Sequence, residues 1–183
     1  MNMTLEGRAK HLPDIQRNFM WEVYIPAIGL MTGFRANMFD MMIRARSATI
    51  PGRTNTAITS EFRGFKQYFP GKNEFSPTFS IQLEETEDRI VWRSMHAWQE
   101  RIFNTDPKSP LGGSSAGLIK RQLATDIYVV PHTYSGIPMN PIRFYNCFPV
   151  AIPDVALTYT GNEAVTFDVT FQYDFWQPTV MMW

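Results

Sequence analysis

Val165-Thr166-Phe167-Asp168-Val169-Thr170-Phe171-Gln172-Tyr173-Asp174 alternates without a break, with Val165, Phe167, Val169, Phe171 and Tyr173 set against Thr166, Asp168, Thr170, Gln172 and Asp174. Successive side chains of a strand point to opposite faces, so this stretch reads as a strand with one apolar and one wet face. Just before it, Val155, Leu157 and Tyr159 alternate with Asp154, Ala156 and Thr158, and Thr160-Gly161-Asn162-Glu163 reads as the turn between the two. Such a hairpin belongs in an antiparallel sheet packed on one face and solvated on the other.

Moving toward the N-terminus, Arg143–Phe148 and Asp126–Val130 read as further strands, and Asn104–Gln122 as a loop rich in Pro, Gly and Ser. One segment changes period. Val91, Met95, Trp98 and Ile102 recur at spacings of four, three and four, which places them on one helical stripe. This predicts a single amphipathic helix over Glu87–Phe103, with Thr86 as N-cap, Glu87 and Asp88 in its first turn and Arg101 near its end. Phe79, Ile81 and Leu83 alternate as another half-buried strand.

Tyr68 to Phe75, with Pro70-Gly71 at its centre, reads as a turn, and Thr56–Phe65 as a strand before it. Met38–Ile50 is taken as an extended segment closed by Pro51-Gly52. Phe19–Ile25 is a strand with Phe19, Trp21, Val23 and Ile25 on one face, stopped by Pro26. Residues 1–18 form a polar arm and 177–183 a short apolar tail, leaving 19–176 as one β domain. The expected fold is mainly β: an antiparallel β-sandwich or half-barrel with a single flanking α-helix. Its core is placed at Trp21, Val91, Met95, Trp98, Leu157, Phe167, Val169 and Phe171, together with Val155 and Val165.

Seventeen Lys+Arg balance 17 Asp+Glu in 183 residues, which argues against attachment to nucleic acid by bulk charge. A hydrophobic fraction of 44% excludes wholesale disorder, while only 19% charged residues, with 11 Met and five Trp, is lean for a monomer that keeps its whole surface wet. Other subunits are therefore expected to cover part of it. No apolar run approaches the roughly 18 residues of a membrane span, and Met1–Lys10 lacks the apolar stretch of a secretion signal. Cys147 stands alone, so no internal disulfide is expected.

Little in the residues points to chemistry. His11, His96 and His132 are scattered without metal-ligand spacing, and Cys147 has no cationic neighbour in sequence to lower its pKa. Glu84, Glu85, Glu87 and Asp88 read as a helix approach rather than a cation site. Gly112-Gly113-Ser114-Ser115-Ala116-Gly117 has a phosphate-loop composition but no Gly-Lys-Ser/Thr. Arg63, Phe65, Lys66, Tyr68 and Phe69 have the make-up of a single-strand platform, yet strand packing and a basic hairpin explain them as well. No enzyme activity, cofactor or metal is expected.

Phe144-Tyr145-Asn146-Cys147-Phe148-Pro149-Val150, followed by the hairpin and by Phe171-Gln172-Tyr173-Asp174-Phe175-Trp176, resembles the tail tube proteins of contractile-tailed (T4-like) bacteriophages. Phe19–Ile25 resembles that family's first strand, Ala48-Thr49-Ile50-Pro51-Gly52 its Pro-Gly turn, and Trp92–Phe103 its helix. The resemblance spans Phe19–Trp176; the arm and the apolar tail depart from it. It implies a structural virion protein whose copies close into a ring-shaped β-barrel. Hexameric rings would stack into the inner tube of the tail and form the channel for DNA ejection. A baseplate tube initiator, a tail-terminal ring or a tube like the haemolysin-coregulated protein of type VI secretion is an alternative, and a monomeric β-sandwich binding module a more remote one. The implied partners are further copies of the chain, the tail sheath protein, baseplate and tape-measure proteins, and DNA in transit, with no membrane insertion of its own. The implied location is the phage tail, after assembly in the host cytoplasm.

Within that resemblance, the polar face of the hairpin (Thr158, Thr166, Asp168, Thr170, Gln172) is either lumen wall or ordinary solvent face. Contacts between stacked rings are expected from Arg53–Phe75, through Arg53, Glu61, Arg63, Lys66, Lys72 and Glu74. Met181, Met182 and Trp183 are expected either to dock on a neighbour or to form a free end.

Overall fold

A computed structural model of the chain describes residues 20–33, 37–105, 119–154 and 164–179. Among these residues nine strands run in chain order: β1 (Trp21–Tyr24), β2 (Ala45–Ala48), β3 (Arg53–Phe62), β4 (Phe65–Phe75), β5 (Thr78–Glu84), β6 (Thr125–Pro131), β7 (Ile142–Ala151), β8 (Thr166–Gln172) and β9 (Phe175–Pro178). Among the helices, α3 (Ile90–Ile102) is the long one, accompanied by the short α1 (Ile28–Met31), α2 (Met38–Arg44) and α4 (Lys120–Leu123). All strand pairings are antiparallel. The large sheet runs β1-β6-β7-β8-β5-β2, with β9 beside β7, and β3-β4 stands apart as a two-stranded ribbon. The mainly β class and open sandwich are as the alternation implied.

Strand β7 belongs to both layers. Its first half, Ile142–Tyr145, lies between β6 and β9, and Phe148–Ala151 pairs with β8. The fold turns its corner at this point. The register between β6 and β7 slips between Thr125 and Ile127, and opposite that slip Asn146 takes the left-handed conformation (φ 54°). An extra residue in one strand bends it and increases its twist. On the other side of β7, β8 gives way to β9 through a bend at Asp174.

The core fills the angle between the layers. Phe79 stacks on Phe144 at 4.1 Å and lies 5.6 Å from Phe171, and the Trp98 ring meets Phe171 at 5.9 Å. Val91, Met95 and Trp98 on α3 are fully buried, as are Val169 and Phe171 on β8; Phe167 is nearly so, and Trp21 packs on the rim. Leu157 lies outside the described residues, as do the whole Val155–Tyr159 segment and its turn, Phe19 and the arm, the glycine-rich loop and Met181–Trp183. Within the described residues, β8 is flanked by β5 and β7.

Four local readings are corrected. Met38–Ile50 is not extended throughout, because Met38–Arg44 forms α2. Asn37 accepts from the Asp40 amide (2.9 Å), and Asp40 accepts from the Asn37 amide (3.4 Å), a reciprocal cap that starts a helix and buries Met41. Tyr68–Phe75 is not a turn but part of β4. The reversal falls instead at Arg63-Gly64, both at positive φ (51° and 84°), the geometry that suits a two-residue hairpin. Pro70-Gly71 sits at a bulge opposite Thr56. A two-stranded ribbon tolerates a residue with no N–H to donate, and a Cβ at Gly71 would lie 2.7 Å from the Thr56 carbonyl oxygen.

The main helix begins at Ile90 rather than Glu87, after Arg89 in the left-handed conformation (φ 56°). Its opening amides are served from outside the helix: Glu85 Oε1 accepts from Val91 (3.2 Å) and Oε2 from Trp92 (2.7 Å), while Thr86 Oγ1 accepts from Ile90 (3.4 Å). Of the acidic cluster, Glu85 and Asp88 thus serve the helix N-terminus, while Glu84 pairs with Arg46. Finally, the Asn104–Gln122 loop gives way at Lys120 to α4, whose Leu123 carbonyl accepts the Trp98 indole N–H at 2.8 Å.

Candidate functional site

Three features of the described surface stand out. The first is a polar wall. Strands β5 and β8 pair in unbroken register, so Thr78, Ser80, Gln82 and Glu84 stand opposite Gln172, Thr170, Asp168 and Thr166. Phe79, Ile81 and Leu83 on β5 and Phe167, Val169 and Phe171 on β8 face the other way, into the core. The wall is made of hydroxyls and amides with few charges. Glu84 is neutralised by Arg46 on β2, and the Thr49 backbone amide donates to the Ser80 carbonyl at 2.9 Å, carrying the surface past the end of β2. Thr166 and Asp168 are exposed, and Thr170 and Gln172 are half-buried. The structure gathers these four on one face; Thr158 lies outside the described residues.

The second feature is the pair of sheet ends. Among the described residues, β1 pairs only with β6 and β2 only with β5, so each presents a row of backbone donors and acceptors with no strand beside it. Such edges invite another strand and in soluble proteins are covered or paired.

The third is the β3–β4 ribbon. Every residue of its two strands is exposed except Gly71, which is half-buried. Its root is clamped. The Arg53 guanidinium lies 4.1 Å over the Trp176 ring and donates to the Trp176 carbonyl, and Phe75 stacks on Tyr173 at 6.1 Å. Of the expected ring-contact residues, Arg53 is thus turned onto its own chain at the root. Glu61, Lys66 and Arg63 are gathered at the tip, with Glu61 opposite Lys66, while Lys72 and Glu74 lie nearer the root.

A polar network at the sheet corner was not readable from spacing. Arg143 donates to Asp126 Oδ2 through Nε (3.1 Å) and Nη2 (2.5 Å), and its guanidinium lies 4.2 Å over Tyr145. Asp126 Oδ1 accepts the Asn146 amide freed by the bulge (3.0 Å); the Asn146 side chain donates to Asp174 (2.8 Å), and Lys120 pairs with the same carboxylate. The Lys120 hydrogen bond, then that from Asn146, holds the Asp174 carboxyl below its ordinary value of 3.8. A carboxylate favoured by the folded state adds stability above its unfolded pKa, and that stability is lost as pH falls through the lower folded value. Asp174→Asn is therefore expected to lower the melting temperature at pH 7 by about 2 °C, since a half-exposed ion pair contributes at most about 1 kcal/mol. In calorimetry the difference should shrink as pH falls below about 4 and vanish only once pH is under the lowered value of the folded carboxyl.

Burial pushes the Cys147 thiol far above its ordinary range, leaving it an inert core residue. His96 packs on Trp92 at 4.0 Å and His132 lies 3.8 Å from Glu22; His11 is outside the described residues. Among the described residues no three His, Cys, Asp or Glu side chains gather to hold a metal ion, and no helix is long and apolar enough to cross a membrane.

A family model described as phage tail tube protein matches residues 15–179. No curated protein matches the chain. Among solved structures, the fold is similar to a chain of the sheath–tube complex of the extracellular contractile injection system PVC in its extended state, with a TM-score of 0.57, 13% identity and coverage of 98% of this chain and 100% of that one. It is similar to the tube-terminating cap of the anti-feeding prophage, with a TM-score of 0.61, 14% identity and coverage of 92% and 94%. It is also similar to a chain of the six-fold symmetrised baseplate of that prophage, with a TM-score of 0.56, 10% identity and coverage of 92% and 97%.

Proposed function

The chain belongs to the phage tail tube protein family, and from that premise we propose that it is a structural subunit whose copies close into rings around a channel and stack into a tube that conducts DNA. The observation that carries this reading is the open sheet. With β1 and β2 each paired on one side among the described residues, one copy can offer its edge to the next. A head-to-tail contact that closes on rotation makes a ring, and ring upon ring makes a filament. Six copies per ring agrees with the six-fold symmetry of the similar baseplate structure.

The polar face of β5 and β8, with Thr166, Asp168, Thr170 and Gln172, is assigned to the channel. A wall of hydroxyls and amides gives phosphates no fixed cations to release counterions against, so DNA passes without being held. The ribbon, through Glu61, Arg63, Lys66, Lys72 and Glu74, is assigned to contacts between rings, with Arg53 fixing its root. The Met181-Met182-Trp183 end is assigned to a neighbour. A sheath outside, and baseplate and tape-measure proteins at the ends and within, complete the assembly in the virion, built in the host cytoplasm. The role is architectural, with no catalytic step.

A second reading, an initiator or terminal ring, is favoured by the apolar end that departs from the family pattern. Negative-stain microscopy of the purified chain tests all of these. Tubes with a central hole support the bulk tube, and single rings support an end ring. A monomer at tens of micromolar overturns both in favour of a binding module.

A further inference from the structure

The β3–β4 ribbon has two unlike faces. Pairing of Ile58 with Phe69, Ser60 with Gln67 and Phe62 with Phe65 puts those six on one face, while Glu61–Lys66, Thr59–Tyr68 and Ala57–Pro70 occupy the other. On the first face, Ile58, Phe62, Phe65 and Phe69 are 60%, 71%, 79% and 49% exposed. At about 200 Å² for a large apolar side chain, that is on the order of 500 Å², the upper end of what a soluble monomer leaves in one patch. A two-stranded ribbon has no other face to bury it against.

Elsewhere on the chain, α2 buries Met41 but turns Phe39 and Ile43, one helical turn apart, outward at 64% and 74% exposure, roughly 300 Å² more. Both patches are exposed on the same molecule, so neither covers the other within one chain. Two ribbon faces joined together, or two α2 faces, would make a closed dimer that cannot propagate. One kind of patch meeting the other is a head-to-tail contact that can.

We propose that the Ile58–Phe62–Phe65–Phe69 face of the ribbon seats on the Phe39–Ile43 face of α2 in the next copy. This rests on the reading of the chain as an assembling subunit and names the surfaces that join. The apolar area of this contact falls short of what a stable interface buries alone. It therefore acts together with strand-edge pairing, and assembly is cooperative.

The test mixes two full-length variants of different mass, Ile43→Cys and Phe65→Cys, under assembling conditions with a short bis-maleimide; the buried Cys147 does not compete. A cross-linked heterodimer is expected from the mixture, with little product from either variant alone. In parallel, Ile43→Lys and Phe65→Glu should each lower the assembled fraction at least tenfold in sedimentation, and the two together in one chain should restore it. Both positions are exposed, and far-UV circular dichroism confirms folding. Wild-type-like assembly of both single variants, or cross-linking only between two Phe65→Cys copies, overturns the contact while leaving the tube reading in place. A wild-type chain that stays monomeric at tens of micromolar overturns both.

Discussion

The Trp98→Ala chain is expected to lose about 4–8 kcal/mol of stability, half or more of what a domain of middling stability holds. Trp98 is fully buried under β8, its ring 5.9 Å from Phe171, and its indole N–H satisfies the Leu123 carbonyl at 2.8 Å. Removing a buried Trp side chain costs about 3–5 kcal/mol in lost burial and cavity. The abandoned carbonyl of Leu123 adds about 1–3 kcal/mol if water does not reach it. A domain of this size has about 5–15 kcal/mol in total. Urea titration followed by far-UV circular dichroism measures the loss, and Trp98→Phe, which keeps a ring but not the donor, should recover more than half of it. A loss under about 1 kcal/mol for the alanine variant would mean that α3 does not pack on the sheet as described.

The second large effect concerns the proposed channel wall. Thr166 and Thr170 occupy one face of β8, away from the core, so lysines there leave the packing of Phe167, Val169 and Phe171 untouched. Repeated around an axis, those lysines line a channel with positive charge. Wild-type tubes should show no measurable retention of short duplex DNA. Tubes of the Thr166→Lys/Thr170→Lys variant should hold it, with affinity falling by on the order of a thousandfold between 50 and 200 mM salt when some six phosphates are contacted. Retention that is independent of salt, or equal in both proteins, would place this face away from the channel.

The parts of the fold visible in the sequence were those whose period is local. The Val165–Tyr173 alternation delivers β8 with its buried and wet faces, and the Val91–Met95–Trp98 stripe delivers α3. What was not visible depends on partners distant in sequence or on competing local signals. Pro70-Gly71 is a turn dipeptide by habit, but Arg63-Gly64 supplies the reversal, and the bulge opposite Thr56 absorbs the Pro-Gly. Met38–Ile50 is apolar enough for a strand, yet the Asn37–Asp40 cap decides for a helix. Asp126, Arg143, Asn146, Asp174 and Lys120 come from four parts of the chain and meet only because β7 slips register against β6. Of the wall, half was legible on β8, while its β5 half follows only from the register that sets Ser80 against Thr170.

That pairing also sets a clock on biosynthesis. Strand β5, near the middle of the chain, finds its partner β8 only after residues 166–172 have left the ribosome. Until then Phe79, Ile81 and Leu83 have no β8 to pack beside, and the wall has only one of its two strands. A nascent or truncated chain therefore lacks the strand that joins β5 and β2 to the rest of the sheet, and the proposed assembly would draw on completed molecules alone.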